Sequence, residues 1–239
     1  VLHINGSDSG SGGAIAAFRL HKGLLQQKVD SRLLVGSAKT DNERVDIMRR
    51  GNRLNKFIFQ FSWRLGFNDL HIIDTFKLNQ HPWFQEAQIL NFHNLHGGYF
   101  NYLALPTLTQ EKATVWTLHD MWSFTGHCVY SFDCERWKQG CGQCPYPETY
   151  PAVKRDTTHL TWKLKDWIYN HSNLAIVTLS KWLTQQAQNS LLSRFPIHHI
   201  PNGIDTDVYY PLDPQLCKKA LDLPLDKKIL MFGAQSLKD

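Results

Sequence analysis

Seven short apolar runs recur along the chain, with helical patterns between them: Val1-Leu2-His3-Ile4, Arg32-Leu33-Leu34-Val35, Ile89-Leu90-Asn91-Phe92, Thr114-Val115-Trp116-Thr117-Leu118, Ala175-Ile176-Val177-Thr178-Leu179, His198-His199-Ile200 and Ile229-Leu230-Met231-Phe232. Most are continuous rather than alternating, which suits strands covered on both faces of a parallel sheet. Between the first two runs, Gly13 to Lys28 carries Ala17, Leu20, Leu24 and Leu25 at helical spacing. After Leu179, Ser180 is placed as the N-cap of a helix that continues through Lys181-Trp182-Leu183 and Ala187. Strands alternating with helices predict βαβ units and an open α/β sheet with helices on both faces.

Composition narrows the class. With 42% hydrophobic and 20% charged residues in 239, there is ample core, and disorder, collagen and coiled coil are excluded. The net charge of +5 is too small for a dedicated nucleic-acid binder. No apolar stretch approaches the ~18 residues of a membrane span. The opening VLHING has neither a charged leader nor a small-residue cleavage site, and both ends read as cut through a strand, as in a piece of a longer protein.

Two segments interrupt the strand–helix rhythm. Residues 44–67 predict a helix with Arg49, Arg50, Arg53, Lys56 and Arg64 on its polar side and positions 47, 54, 58, 61 and 65 on one apolar face. Beside an anionic membrane, some of Phe57, Phe59, Phe61, Trp63 and Phe67 must be exposed; in a core helix all are buried. Residues 121–158 hold four of the five Cys among Gly, Pro and aromatics, and read as an irregular insertion too polar and turn-rich for a core element. The expected division is 1–211 as one domain, 212–227 as a linker with Pro and charges, and 228–239 as the start of a second domain.

Four features carry chemistry. The loop Asn5 to Gly13 follows a strand and opens a helix, so Gly12 and Gly13 let backbone N–H groups approach an anion or a sugar. It lacks the Rossmann glycine spacing and the P-loop Lys. His93, His96 and the pair His119-Asp120 follow strands, where open α/β sheets bind ligands. Cys128, Cys134, Cys141 and Cys144 have fair spacing for a structural zinc, with two disulfides or four free thiols as rivals. Ile200-Pro201-Asn202-Gly203-Ile204-Asp205 makes a turn directly after a strand.

The stretch IPNGIDTDVYYP, with TLSKWL before it, resembles the hinge region of family 4 retaining glycosyltransferases of the GT-B fold. HINGSDSGSGGAIAAFRLHKGL resembles their glycine-rich first loop. NFHNLHGGYFN and TLHDMWSFTGHCVYSFDCERWKQGCGQCP are similar to a subgroup that builds bacterial surface polysaccharides, including the colanic-acid type. The resemblance implies the N-terminal, acceptor-side, Rossmann-like half of a GT-B fold, with the nucleotide-sugar donor held mainly by a C-terminal domain beyond residue 239. It implies hexosyl transfer to a glycan or lipid-linked acceptor in the cytoplasm or on the inner face of the membrane, no catalytic metal, no nucleic-acid partner, and an isolated fragment with little turnover. His119 falls at the position of the family's active-site His. The expected site is His119 and Asp120 as catalytic residues, with Gly12, Gly13, His93, His96 and Asn202 binding substrate.

Two rivals come from other classes. One is a non-enzymatic zinc-stapled module that binds nucleic acid through Trp122, Phe124 and Trp137. The other is a dinucleotide enzyme, disfavoured because no third glycine follows and no acidic residue ends the second strand at Val35-Gly36.

Overall fold

The computed structural model describes residues 1–48 and 53–232, with the backbone alone at 53 and 54. Two units separate, Val1–Gly203 and Ile204–Asp239. The first contains, in chain order, β1 (Leu2–Ser7), α1 (Gly12–Gln26), β2 (Arg32–Ser37), β3 (Val45–Ile47), α2 (Arg53–Arg64), α3 (Pro82–Glu86), β4 (Ile89–Phe92), α4 (Leu105–Glu111), β5 (Ala113–Leu118), α5 (Thr158–Asn170), β6 (Ala175–Thr178), α6 (Lys181–Gln188) and β7 (Ile197–His199). The second contains α7 (Pro214–Ala220), within the stretch expected as a linker.

All seven strands form one parallel sheet in the order β3-β2-β1-β4-β5-β6-β7. The order reverses between β1 and β4, which is the topological switch point where such sheets bind ligands. This confirms a Rossmann-like α/β fold. The central strands alternate, contrary to a continuous apolar reading. Leu2 and Ile4, Leu90 and Phe92, and Trp116 and Leu118 are buried on one face. His3, Asn5, Asn91, His93 and Thr117 are buried on the other. The apolar face packs on Phe100, Tyr102, Leu105, Trp122, Phe124 and Ile168 to form the core.

The helix α1 lies along the polar face. Its buried residues are Ala14, Ala17 and His21, whereas Leu20 is exposed. Small residues let this helix approach the sheet closely, and Leu20 is not needed for that contact. Ser180 caps α6 as expected, its Oγ accepting from Leu183 N–H at 3.2 Å.

Three expectations are corrected. Within 44–67, residues 45–47 form β3 and the helix begins at Arg53; Arg49 and Arg50 lie outside the described residues. The expected apolar face is not buried as a unit: Ile47, Phe61 and Leu65 are exposed. The inward face is instead anchored by Asn55, which donates to Asp74 Oδ2 at 2.9 Å, and by buried Ser62. Phe57 and Phe61, 72% and 64% exposed, lead the outward face; Phe59 and Trp63 are partly exposed at the flanks, packed on His71 and under Lys154, and Phe67 is half-buried. Next, segment 121–157 is irregular, with two short 3-10 turns, yet Met121, Trp122, Phe124 and Trp137 are core residues. Aromatics buried in this way cannot stack on bases, so the nucleic-acid module is not supported. Last, residues 229–232 are exposed and form no strand, because no second strand exists among residues 204–232 to pair with them.

Candidate active site

Ser11 caps α1 by accepting from Ala14 N–H at 3.3 Å, so the helix starts at Gly12 and Gly13. The two glycines are not equivalent. A Cβ at Gly12 would meet nothing within 4 Å. A Cβ at Gly13 would lie 2.9 Å from Asn94 Nδ2 and 3.3 Å from His119 Cγ. The start of α1 thus rests directly on the His119 ring.

His119 follows β5 and is joined to β4 and β1 by a stack of imidazoles. His119 Nε2 lies 3.0 Å from His93 Nδ1, and His93 Nε2 lies 3.2 Å from His3 Nδ1. The rings are tilted by about 30°, with centroids 5.3 and 5.4 Å apart (34° and 31°). The stack crosses the sheet at its switch point. Burial holds His93 well below the usual imidazole range, reinforced by His3 and His119. Burial lowers His3 to about 3 and His119 to about 4, the latter against the opposing pull of Asp120. All three are therefore neutral near pH 7.

A second pair stands beside the first. His96 Nε2 is 2.9 Å from Asp120 Oδ2, and Asp120 Oδ1 accepts from Trp122 N–H at 2.9 Å. His96 Nδ1 meets the Tyr150 hydroxyl at 3.3 Å. His93, His96, His119, Asp120 and Gly13 thus gather at the carboxyl ends of β4 and β5. Gly12 sits beside them without close contact. Asn202 does not join them: it follows the edge strand β7 and is exposed.

His3, Asn94 and Tyr150 were not foreseen as members of this group. The signal for His3 was present in the alternation Leu2-His3-Ile4-Asn5, which matches Leu90-Asn91-Phe92-His93 and Trp116-Thr117-Leu118-His119. Three strands with polar residues on one side specify a polar face.

The four clustered Cys are free thiols that line one cavity with His127, Arg136, Trp137 and Thr158. Gly126 N–H donates to Cys141 Sγ at 3.2 Å, and His127 Nε2 lies 3.2 Å from Cys144 Sγ. Burial pushes the Cys141 thiol up to about 12. Among the described residues no three His, Cys, Asp or Glu side chains stand together as a ready metal-ligand set. Lys165 is fully buried near this cavity, with its Nζ donating to Trp122 O at 2.5 Å and Thr125 O at 3.0 Å.

A parallel sheet of this order, with a glycine loop and hydrogen-bonding side chains gathered at its switch point, defines an α/β ligand-binding domain. The chain belongs to Glycosyltransferase Family 4, whose family model matches residues 10–208. It is 30% identical over 179 residues to the Escherichia coli K12 protein WcaC, named as a colanic acid biosynthesis glycosyl transferase. That match takes in 66% of this chain and 42% of WcaC, so the chain spans less than half the length of this relative. Among solved structures, the sucrose-phosphate synthase of Thermosynechococcus elongatus superposes with a TM-score of 0.52 at 12% identity, covering 94% of this chain and 53% of that one. The last similarity is one of fold.

Proposed function

We propose that residues 1–203 form the acceptor-side domain of a retaining glycosyltransferase that moves a hexose from a nucleoside-diphosphate sugar to a glycan or lipid-linked acceptor. The observation that carries this is the contact of Gly13 with His119 at the sheet's switch point. Transfer breaks the bond between the anomeric carbon and the diphosphate and forms one to an acceptor hydroxyl. It needs donors aimed at the sugar and leaving group, and exclusion of water. The start of α1 supplies backbone N–H groups and a positive helix end. His119 and the His96–Asp120 pair supply the side chains. The donor nucleotide is assigned mainly to a further domain outside these residues.

The test is transfer by the full-length protein from a panel of nucleoside-diphosphate sugars. His119→Ala should lower turnover by about 10²-fold, the range of a positioned hydrogen-bonding or acid–base group. Full turnover in that variant would remove His119 from the mechanism.

The same reading places the protein peripherally on the cytoplasmic face of the membrane, through α2. No helix among the described residues is long and apolar enough to cross a membrane. Residues 47–68 hold five basic side chains and no acidic one, and the outward face of α2 is aromatic. Lys154 Nζ adds a cation 4.6 Å from the Trp63 ring centre. Basic residues contribute roughly 1 kcal/mol each near an anionic leaflet, and apolar side chains add burial in the interface. Co-sedimentation with phosphatidylserine vesicles at low salt should therefore be lost on Phe57→Ser with Phe61→Ser. Equal pelleting of that variant would dispose of the attachment.

The thiol cavity fits a structural zinc, held by Cys128, Cys134, Cys141 and Cys144 once the ion draws the side chains together. The supporting observation is the convergence of all four thiols on one cavity.

A further inference from the structure

The imidazole stack has a direction. Each neutral ring carries one proton, so the two His–His hydrogen bonds must run the same way. In one sense, His3 Nδ1–H donates to His93 Nε2, His93 Nδ1–H donates to His119 Nε2, and His119 keeps its own proton on Nδ1. In the other, every proton sits on Nε2. The far end of the stack separates the two. His3 Nε2 is buried without a partner. In the first sense this atom is a lone pair; in the second it is an orphaned N–H donor, which folded proteins rarely tolerate.

The surrounding charges agree. Asp120 and His96 flank His119, whereas the ring of His21 lies beside His3. A chain of N–H groups pointing from His3 to His119 puts its positive end beside the Asp120 carboxylate. Burial and charge thus select the same sense.

We propose that His3 and His93 are positioning residues that fix His119 as its Nδ1–H tautomer, making it a hydrogen-bond donor rather than a base toward the ligand next to Gly13. A Cβ at Gly13 would lie 3.5 Å from this Nδ1, so the donor faces the start of α1. The group it recognises is an acceptor oxygen, such as a sugar hydroxyl or a phosphate oxygen. That identity rests on the glycosyl-transfer reading; the tautomer does not.

The test is two-bond ¹H–¹⁵N correlation spectroscopy of the ¹⁵N-histidine-labelled chain, with His119 assigned by its loss in His119→Gln. The wild-type spectrum should show a single Nδ1–H form for His119 at neutral pH. His93→Asn, whose amide nitrogen stands near the place of Nδ1, should keep that form. His93→Phe, which keeps a ring and removes both nitrogens, should produce a mixture. An Nε2–H form in the wild type, or a pattern unchanged by His93→Phe, would overturn the proposal, and the wild-type result stands even if a variant fails to fold. In the full-length enzyme, His93→Phe should lower kcat about tenfold with KM little changed, and His93→Asn should recover most of it. A correct tautomer in a protein that transfers no sugar would instead count against the transferase reading alone.

Discussion

Replacing Gly13 with Ala tests whether the start of α1 and His119 form one working unit. The new Cβ would stand 2.9 Å from Asn94 Nδ2, which is the free end of an amide and can swing away. An off-rotamer side chain costs about 0.5–1.5 kcal/mol. Removing a glycine from a helix returns about 0.5–1 kcal/mol. The two nearly cancel, so the melting temperature should move by no more than a few degrees. His119 is different. Its Cγ is 3.3 Å from the new Cβ, and its Nε2 is tied to His93 at 3.0 Å. The ring must shift by a few tenths of an ångström or lose that hydrogen bond. A misplacement of 1 Å can cost about 10²-fold in rate, so a shift of this size should cost on the order of severalfold to tenfold.

The control is Gly12→Ala, whose Cβ meets nothing within 4 Å. It should fold and transfer like the wild type. Thermal melts and initial rates of the full-length transferase, with both variants side by side, give the answer. Wild-type turnover in Gly13→Ala, or an equal loss in Gly12→Ala, would refute the coupling. Loss of folding in Gly13→Ala would refute the energy balance.

Acid should weaken the fold early. His3 and His119 bind protons in the unfolded chain below about 6.5 but in the folded one only near 3 and 4. The unfolded state therefore takes up more protons between those limits, and stability falls as pH drops from about 6.5 to 4, by roughly 3 kcal/mol per residue. Burial raises Asp69 to about 6 and offsets part of this; urea midpoints that stay flat or rise toward pH 4.5 would contradict it. Lys165→Met should lower unfolding free energy by about 2–4 kcal/mol, since two buried carbonyls lose their donor. An equal or higher urea midpoint would show that the buried charge costs more than its hydrogen bonds return. Protein purified without chelator should carry about one zinc per chain, lost together with thermal stability in Cys141→Ser with Cys144→Ser; metal-free protein of full stability would remove the zinc.

The sheet was legible because strands covered on both faces leave compact apolar runs. Runs ending at Phe92 and Leu118 place His93 and His119 at strand ends without knowledge of the tertiary fold. His3 was hidden for the same reason: counted as part of an apolar run, it did not stand out as one side of an alternating strand. The orientation of α2 could not be read. Helical periodicity shows that positions 57, 61 and 65 share a side, but not whether that side faces the protein. Asn55 decides it through its bond to Asp74, a residue outside the helix. Residues 229–232 have strand composition, but pairing needs a neighbour, and composition cannot supply one.

Burying a polar face in the middle of a sheet is costly, and here the cost is contained by pairing within the column itself. Thr117 Oγ1 donates to Asn91 Oδ1 at 3.0 Å, His93 bonds on both sides, and His21 meets Ser31 Oγ at 2.8 Å. Orphaned nitrogens remain at His3 and His21, at the end away from His119. The helix over this face runs from Gly13 at His119 to His21 beside His3, with Ala14 and Ala17 buried between. Eight residues of helix span about 12 Å, so the contact with His119 is set by the closeness of the whole helix to the sheet. Glycine at 13 and alanine at 14 and 17 therefore answer one requirement: a helix start that packs directly against His119, whose ring is bonded from below by His93.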